Sequence, residues 1–117
     1  MNTRSQGNLG EDRAVIFLEQ KGYLILTRNF RSQFGEVDII AQDHDCIVFI
    51  EVKMRSSSIF GTPREAITSV KLQKIIMVGM LYLKSVSKEH SKYRIDAIEI
   101  ENDGQDFKIN HLENVTM

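Results

Sequence analysis

The chain has 117 residues, 42% of them hydrophobic and 26% charged, with a net charge of −1, an ordinary composition for one globular domain that argues against disorder or a membrane protein. No apolar run approaches the roughly 18 residues of a membrane span, and the opening MNTRSQGNLG lacks the apolar core of a signal peptide, so a cytoplasmic protein is expected. The single cysteine, Cys46, rules out an internal disulfide and reads as a small buried hydrophobe, not a catalytic thiol.

In chain order, residues 8–21 predict a helix, with Asn8 as the cap, Glu11 three positions on and Gly22 at the exit. At 100° per residue, Glu11 falls on the stripe made by Ala14, Val15 and Leu18, so a carboxylate interrupts the apolar face. Capping alone would also explain it. Residues 23–31, YLILTRNFR, read as a strand. A hairpin follows, with strands over 35–42 and 46–54 and Asp43-His44-Asp45 at the turn. Thr62-Pro63-Arg64-Glu65 combines a capping box with proline at the first helical position. It predicts a helix to about residue 86 whose buried side holds Ala66, Val70, Ile76 or Met77, Met80 and Leu81 or Leu83, with Gly79 as a close-packing point. A strand is expected over 93–101 and a short edge strand over 107–113. This succession gives an α/β or α+β fold with a mixed sheet covered by helices.

Charge is uneven. Residues 46–94 carry nine Lys or Arg against three acids, whereas six acids oppose Lys108 from Asp96 onward. A basic region of this kind can meet phosphates, although ordinary solvated faces explain the charges as well.

The stretch GEVDIIAQDHDCIVFIEVKMR holds three charges within apolar strands: Asp38, Glu51 and Lys53. Glu51 and Lys53 share one strand face with Ile47 and Phe49, while Val48, Ile50 and Val52 make the other face apolar, as in an interior strand. If Asp43 pairs with Cys46 across a two-residue loop, Asp38 stands opposite Glu51; an odd loop would send it to the other face. Two carboxylates at about 4 Å repel by roughly 4 kcal/mol at an effective dielectric near 20. A divalent cation held by Asp38, Glu51 and the Val52 carbonyl would relieve that, and Lys53 would stand beside a bound phosphate. This is equipment for phosphodiester hydrolysis, with Glu11 as an outer ligand or proton acceptor. On spacing alone, a surface ion-paired hairpin remains the competing explanation.

The blocks GNLGEDRAVIFLEQKGYLILTRNFR, GEVDIIAQDHDCIVFIEVKMR, FGTPREAITSVKLQKI and YRIDAIEIE together resemble the YraN-like family of small bacterial proteins. The resemblance runs from about Gly7 to His111. It implies a restriction-endonuclease-like αβββαβ core of the PD-(D/E)XK nuclease superfamily, similar to archaeal Holliday junction resolvases, as a single domain over 1–117. By position it implies that Glu11, Asp38, Glu51 and Lys53 are catalytic and that Asp38 and Glu51 hold Mg²⁺ or Mn²⁺, beside the Val52 carbonyl named above. Val37 stands where the literal motif has proline. Arg55, Arg64, Lys71, Gln73 and Lys74 are then expected to contact DNA phosphates, and a symmetric junction would suit a homodimer. The expected function is a metal-dependent DNA endonuclease, with branched DNA as one substrate. The alternative is a nucleic-acid-binding or accessory protein that keeps the fold without turnover. Asp96 has no spacing that ties it to the site. His44, His90 and His111 show no zinc-like spacing and are expected in turns or at the surface.

Overall fold

The computed structural model describes residues 6–55, 67–102 and 104–116, with side chains from Leu9 onward. Its elements are α1 (Gln6–Gln20), β1 (Leu24–Ser32), β2 (Gly35–Asp43), β3 (Cys46–Arg55), α2 (Ser69–Ser85), β4 (Lys92–Asn102) and β5 (Phe107–Leu112). Among the described residues the strands form one five-stranded sheet in chain order. The pairs β1–β2, β2–β3 and β4–β5 are antiparallel, and β3–β4 is parallel. That parallel pair requires a crossover, which α2 supplies. The result is an α/β fold consistent with a restriction-endonuclease-like core. Among the described residues no helix is long and apolar enough to cross a membrane.

Each sheet face is closed by one helix. On one side Ala14 and Leu18 of α1 pack with Ile39, Ala41, Val48, Ile50, Ile98 and Ile100. On the other, Ile75, Val78, Tyr82 and Leu83 of α2 pack with Val37, Ile40, Ile47, Phe49 and Ile95. β3 and β4 are therefore apolar on both faces, as strands between two layers must be. Each fully buried Ile, Leu or Phe contributes about 1.5–3 kcal/mol of apolar burial.

Two glycines set how closely the helices approach β3. A Cβ at Gly79 would lie 2.5 Å from Cε2 of Phe49, so α2 touches the sheet where the sequence placed a close-packing point. At Gly10 a Cβ would lie 3.2 Å from Cβ of Met54, which brings the first turns of α1 down onto the C-terminal end of β3.

Two helix starts differ from expectation. α1 begins at Gln6, so Asn8 lies inside it and Glu11 in its second turn, which removes capping as the explanation for Glu11. α2 begins after Thr68, whose side chain accepts from the Lys71 N–H; Ile67 and Thr68 are not helical. The expected start at 62–65, with Arg64, and the expected core residue Ala66 lie outside the described residues. The buried face of α2 is also rotated. Ile75, Val78, Gly79, Tyr82 and Leu83 are inside, whereas Val70, Met77, Met80 and Leu81 are exposed. This helix is apolar around most of its circumference, so periodicity does not select a face.

Candidate active site

The hairpin turn decides the geometry first. Asp43 pairs with Cys46 and Ile39 with Ile50, which is the two-residue loop that sets Asp38 at the level of Glu51; His44 takes the left-handed backbone, φ 57°, that such a turn needs. A second device lies on the other side of β2. Arg28 pairs with Ile39 and Phe30 with Val37, leaving Asn29 and Asp38 between them. Asn29 has φ 55°, and across it the alternation of β1 breaks: Arg28 turns to α1, while Phe30 packs edge-on against Tyr82 of α2. In β2, Val37 and Ile39 likewise fall into opposite cores on either side of Asp38. Asp38 thus occupies a break in both strands, where its carboxylate reaches sideways and Oδ2 accepts from the Val52 N–H at 2.8 Å.

Acids approach this break from both layers. Glu51 projects on the α2 side, where the Lys71 ammonium forms a short ion pair with it. Glu11, only 8% exposed, comes from α1. Arg28 holds Asp12 at 2.8 Å and Glu11 at 3.5 Å. Burial, and then the charge of Glu51, push the Asp38 carboxyl up to about 7; the Val52 N–H offsets part of this, and Glu11 and Glu36 add to it. Asp38 is the acid of the group with no cation of its own among the ion pairs of the described residues. A carboxyl in that position gives up its proton less readily than an ordinary aspartate does.

The remaining expected residues separate. Lys53 is exposed on β3, two positions beyond Glu51. Gln73 and Lys74 are exposed on α2. Lys71 turns onto Glu51 instead of outward, and Arg55 is mostly buried with its Nε on Glu99. Arg64 lies outside the described residues. Glu99 was not singled out from sequence. It is 1% exposed, and it pairs in register with Lys53. A glutamate inside the apolar run Ile98-Glu99-Ile100 was the available signal. Arg28, in the middle of an apolar strand opposite an acidic helix, was another.

A different polar network lies at the other end of α1. Asp96, fully buried, accepts from Arg94 Nε at 3.0 Å and from the Asn114 N–H at 2.9 Å, and its Oδ2 lies 2.8 Å from His111 Nε2. Lys21 Nζ, which can only donate, lies 2.8 Å from His111 Nδ1, so the ring hydrogen sits on Nε2 and points at Asp96. The imidazole is edge-on to Phe17 and Tyr23. His111 is therefore an interior residue, not the surface histidine expected. Burial alone would raise Asp96, yet the bonds from His111, Arg94 and the Asn114 backbone bring it below the ordinary carboxylate value.

Comparison with known proteins gives a family and no reaction. The model of "Uncharacterised protein family UPF0102" matches residues 10–100, a span that includes Glu11, Asp38, Glu51, Lys53 and Glu99. A UPF0102 protein of Alkaliphilus oremlandii is 46% identical over 110 residues, covering 92% of this chain and 94% of that one. One from Caldicellulosiruptor saccharolyticus is 47% identical over 100 residues, covering 86% and 85%. One from Clostridium botulinum is 48% identical over 95 residues, covering 80% and 77%. With a family model over most of its length and relatives this similar across nearly whole chains, the protein belongs to the UPF0102 family.

Proposed function

We propose that this protein is a Mg²⁺- or Mn²⁺-dependent DNA endonuclease of the PD-(D/E)XK type, with branched DNA among its substrates and a homodimer as the form that would suit a two-fold symmetric junction. The observation that carries the reading is the gathering of Asp38, Glu51 and Glu11 at the break in β1 and β2, where Asp38 has acids on both sides and no cation. Among the described residues no group of three or more His, Cys, Asp or Glu side chains is placed to hold a metal ion. Mg²⁺ does not require one. It is commonly held by one or two carboxylates, with water and substrate phosphate completing the shell, and the donor set here fits that pattern. Asp38 and Glu51 would hold the cation. The Val52 carbonyl would join them, since N–H and C=O of one strand residue point to the same neighbour and the Val52 N–H points to Asp38.

When bound, the cation would supply Lewis-acid polarisation of the phosphate and a more acidic water. The chain's own residues account for the rest. Lys53, exposed beside Glu51, orients the attacking water and stabilises charge developing on phosphorus. Glu11, withdrawn into the α1 stripe, accepts a proton at the edge of the site. Lys74 and Gln73, exposed on α2, meet the DNA backbone.

The open donor set also favours a second reading, a nucleic-acid-binding or accessory protein that keeps the fold without turnover. Incubation with linear, flap and four-way junction DNA, in Mn²⁺ or EDTA, separates the two. The nuclease reading expects Mn²⁺-dependent cleavage that Asp38→Ala and Lys53→Ala abolish. Binding without cleavage would favour the accessory protein, and cleavage that survives both substitutions would remove this site from the reaction.

A further inference from the structure

Resting on the cation-dependent reading of the site, we infer that Lys71 is a displaceable counter-ion: its ammonium holds Glu51 until a divalent cation takes that carboxylate, and is then released to the DNA backbone. Among the described ion pairs, Lys71 is the partner of Glu51. The two side chains are unequally free, at 41% exposed for Lys71 and 12% for Glu51. Lys71 can withdraw into water; Glu51 cannot.

The anchor of Lys71 is its backbone. Its N–H donates to Thr68 Oγ1 at 3.1 Å in the first turn of α2, which fixes the Cα and leaves a four-carbon stem to pivot. A divalent cation on Glu51 repels the ammonium and replaces its attraction for the carboxylate with a stronger one, so both cannot keep the same place. Once released, Lys71 lies three positions before the exposed Lys74, on the same helical face. Lys53, two residues beyond Glu51 and already exposed, keeps its position in both states. The two lysines then have different duties: Lys53 serves the reacting phosphate, and Lys71 is a positioning residue that couples cation binding to DNA binding.

Titration calorimetry with Mn²⁺ alone, on the wild type, Lys71→Met and Lys71→Gln, tests this. Loss of an ion pair worth about 1 kcal/mol should tighten Mn²⁺ binding about fivefold in both variants. With Ca²⁺ in place of a turnover-supporting cation, both should bind duplex DNA more weakly, with a salt slope shallower by about one unit. The Lys71 Cε resonance of the wild type should shift on Mg²⁺ addition, and should not shift in Glu51→Gln. Unchanged or weaker Mn²⁺ binding in the variants, or a Lys71 resonance indifferent to Mg²⁺, would overturn the inference while leaving the cation site intact. A wild type that binds no Mn²⁺ would overturn both.

Discussion

Asp96, fully buried, and Asp38, half-buried, are carboxylates of one sheet, and burial pushes each of them upward. Around Asp96 the fold supplies Arg94, His111 and the Asn114 N–H, and the carboxyl ends below its ordinary value. Around Asp38 it supplies one N–H, from Val52, and the charges of Glu51, Glu11 and Glu36, so the carboxyl ends near 7. Arg94 and His111 join the end of α1 to β4 and β5 through Asp96. Asp38 joins nothing comparable. An interior acid with its donors in place accounts for itself as structure, whereas an acid set among acids lowers stability and calls for a partner from outside.

The comparison can be broken at several points. The largest effect is expected from Asp96→Asn, which removes the charge facing Arg94 and puts an NH2 group among donors. Unfolding in urea should show a loss of about 3–5 kcal/mol. A loss below 1 kcal/mol would mean that the network does not hold the fold. The opposite sign is expected at Asp38. Its folded value lies above the unfolded one, so wild-type stability falls as pH rises from about 4 to about 7. Asp38→Asn keeps an acceptor for Val52 and drops the charge. Without metal at pH 8 it should be about 2 kcal/mol more stable than wild type, with the gain vanishing near pH 3. A destabilised variant at pH 8 would contradict the picture of an unserved acid. The smallest effect concerns Arg28→Met. The pair with Asp12 is about one-third exposed on each side, so the cost should be about 1 kcal/mol at low ionic strength and less in salt. Thermal melts at two salt concentrations would show whether that dependence exists.

How much of this was legible in the sequence varies by region. The hairpin and its polar turn were legible but the register was not, since an even and an odd loop both fitted the residues and the two-residue loop emerged from the structure. Gly79 stood out as a close-packing point in its helix, and its neighbour Phe49 did not. The inward aspect of Glu11 followed from its phase with Ala14 and Leu18. The start of α2 did not, because Thr68 caps without a Glu three residues later; that position is Lys71, whose side chain is engaged with Glu51. Glu99 and the Asp96 network were hidden because β4 is buried on both faces, so polar residues there do not stand out by alternation. The break at Asn29 and Asp38 depends on one left-handed residue in β1, which no local pattern of residue types announced. That break brings Asp38 to Val52 and to acids from both layers, so the least legible feature is the one that forms the candidate site.

The central claim is that Asp38 is an acid held in wait for a divalent cation. The most direct measurement is the ¹³C titration of the Asp38 carboxyl, with and without saturating Mg²⁺. The midpoint should lie near 7 in metal-free protein and fall by several pH units when Mg²⁺ is present. A midpoint near the ordinary aspartate value in both conditions would contradict the account.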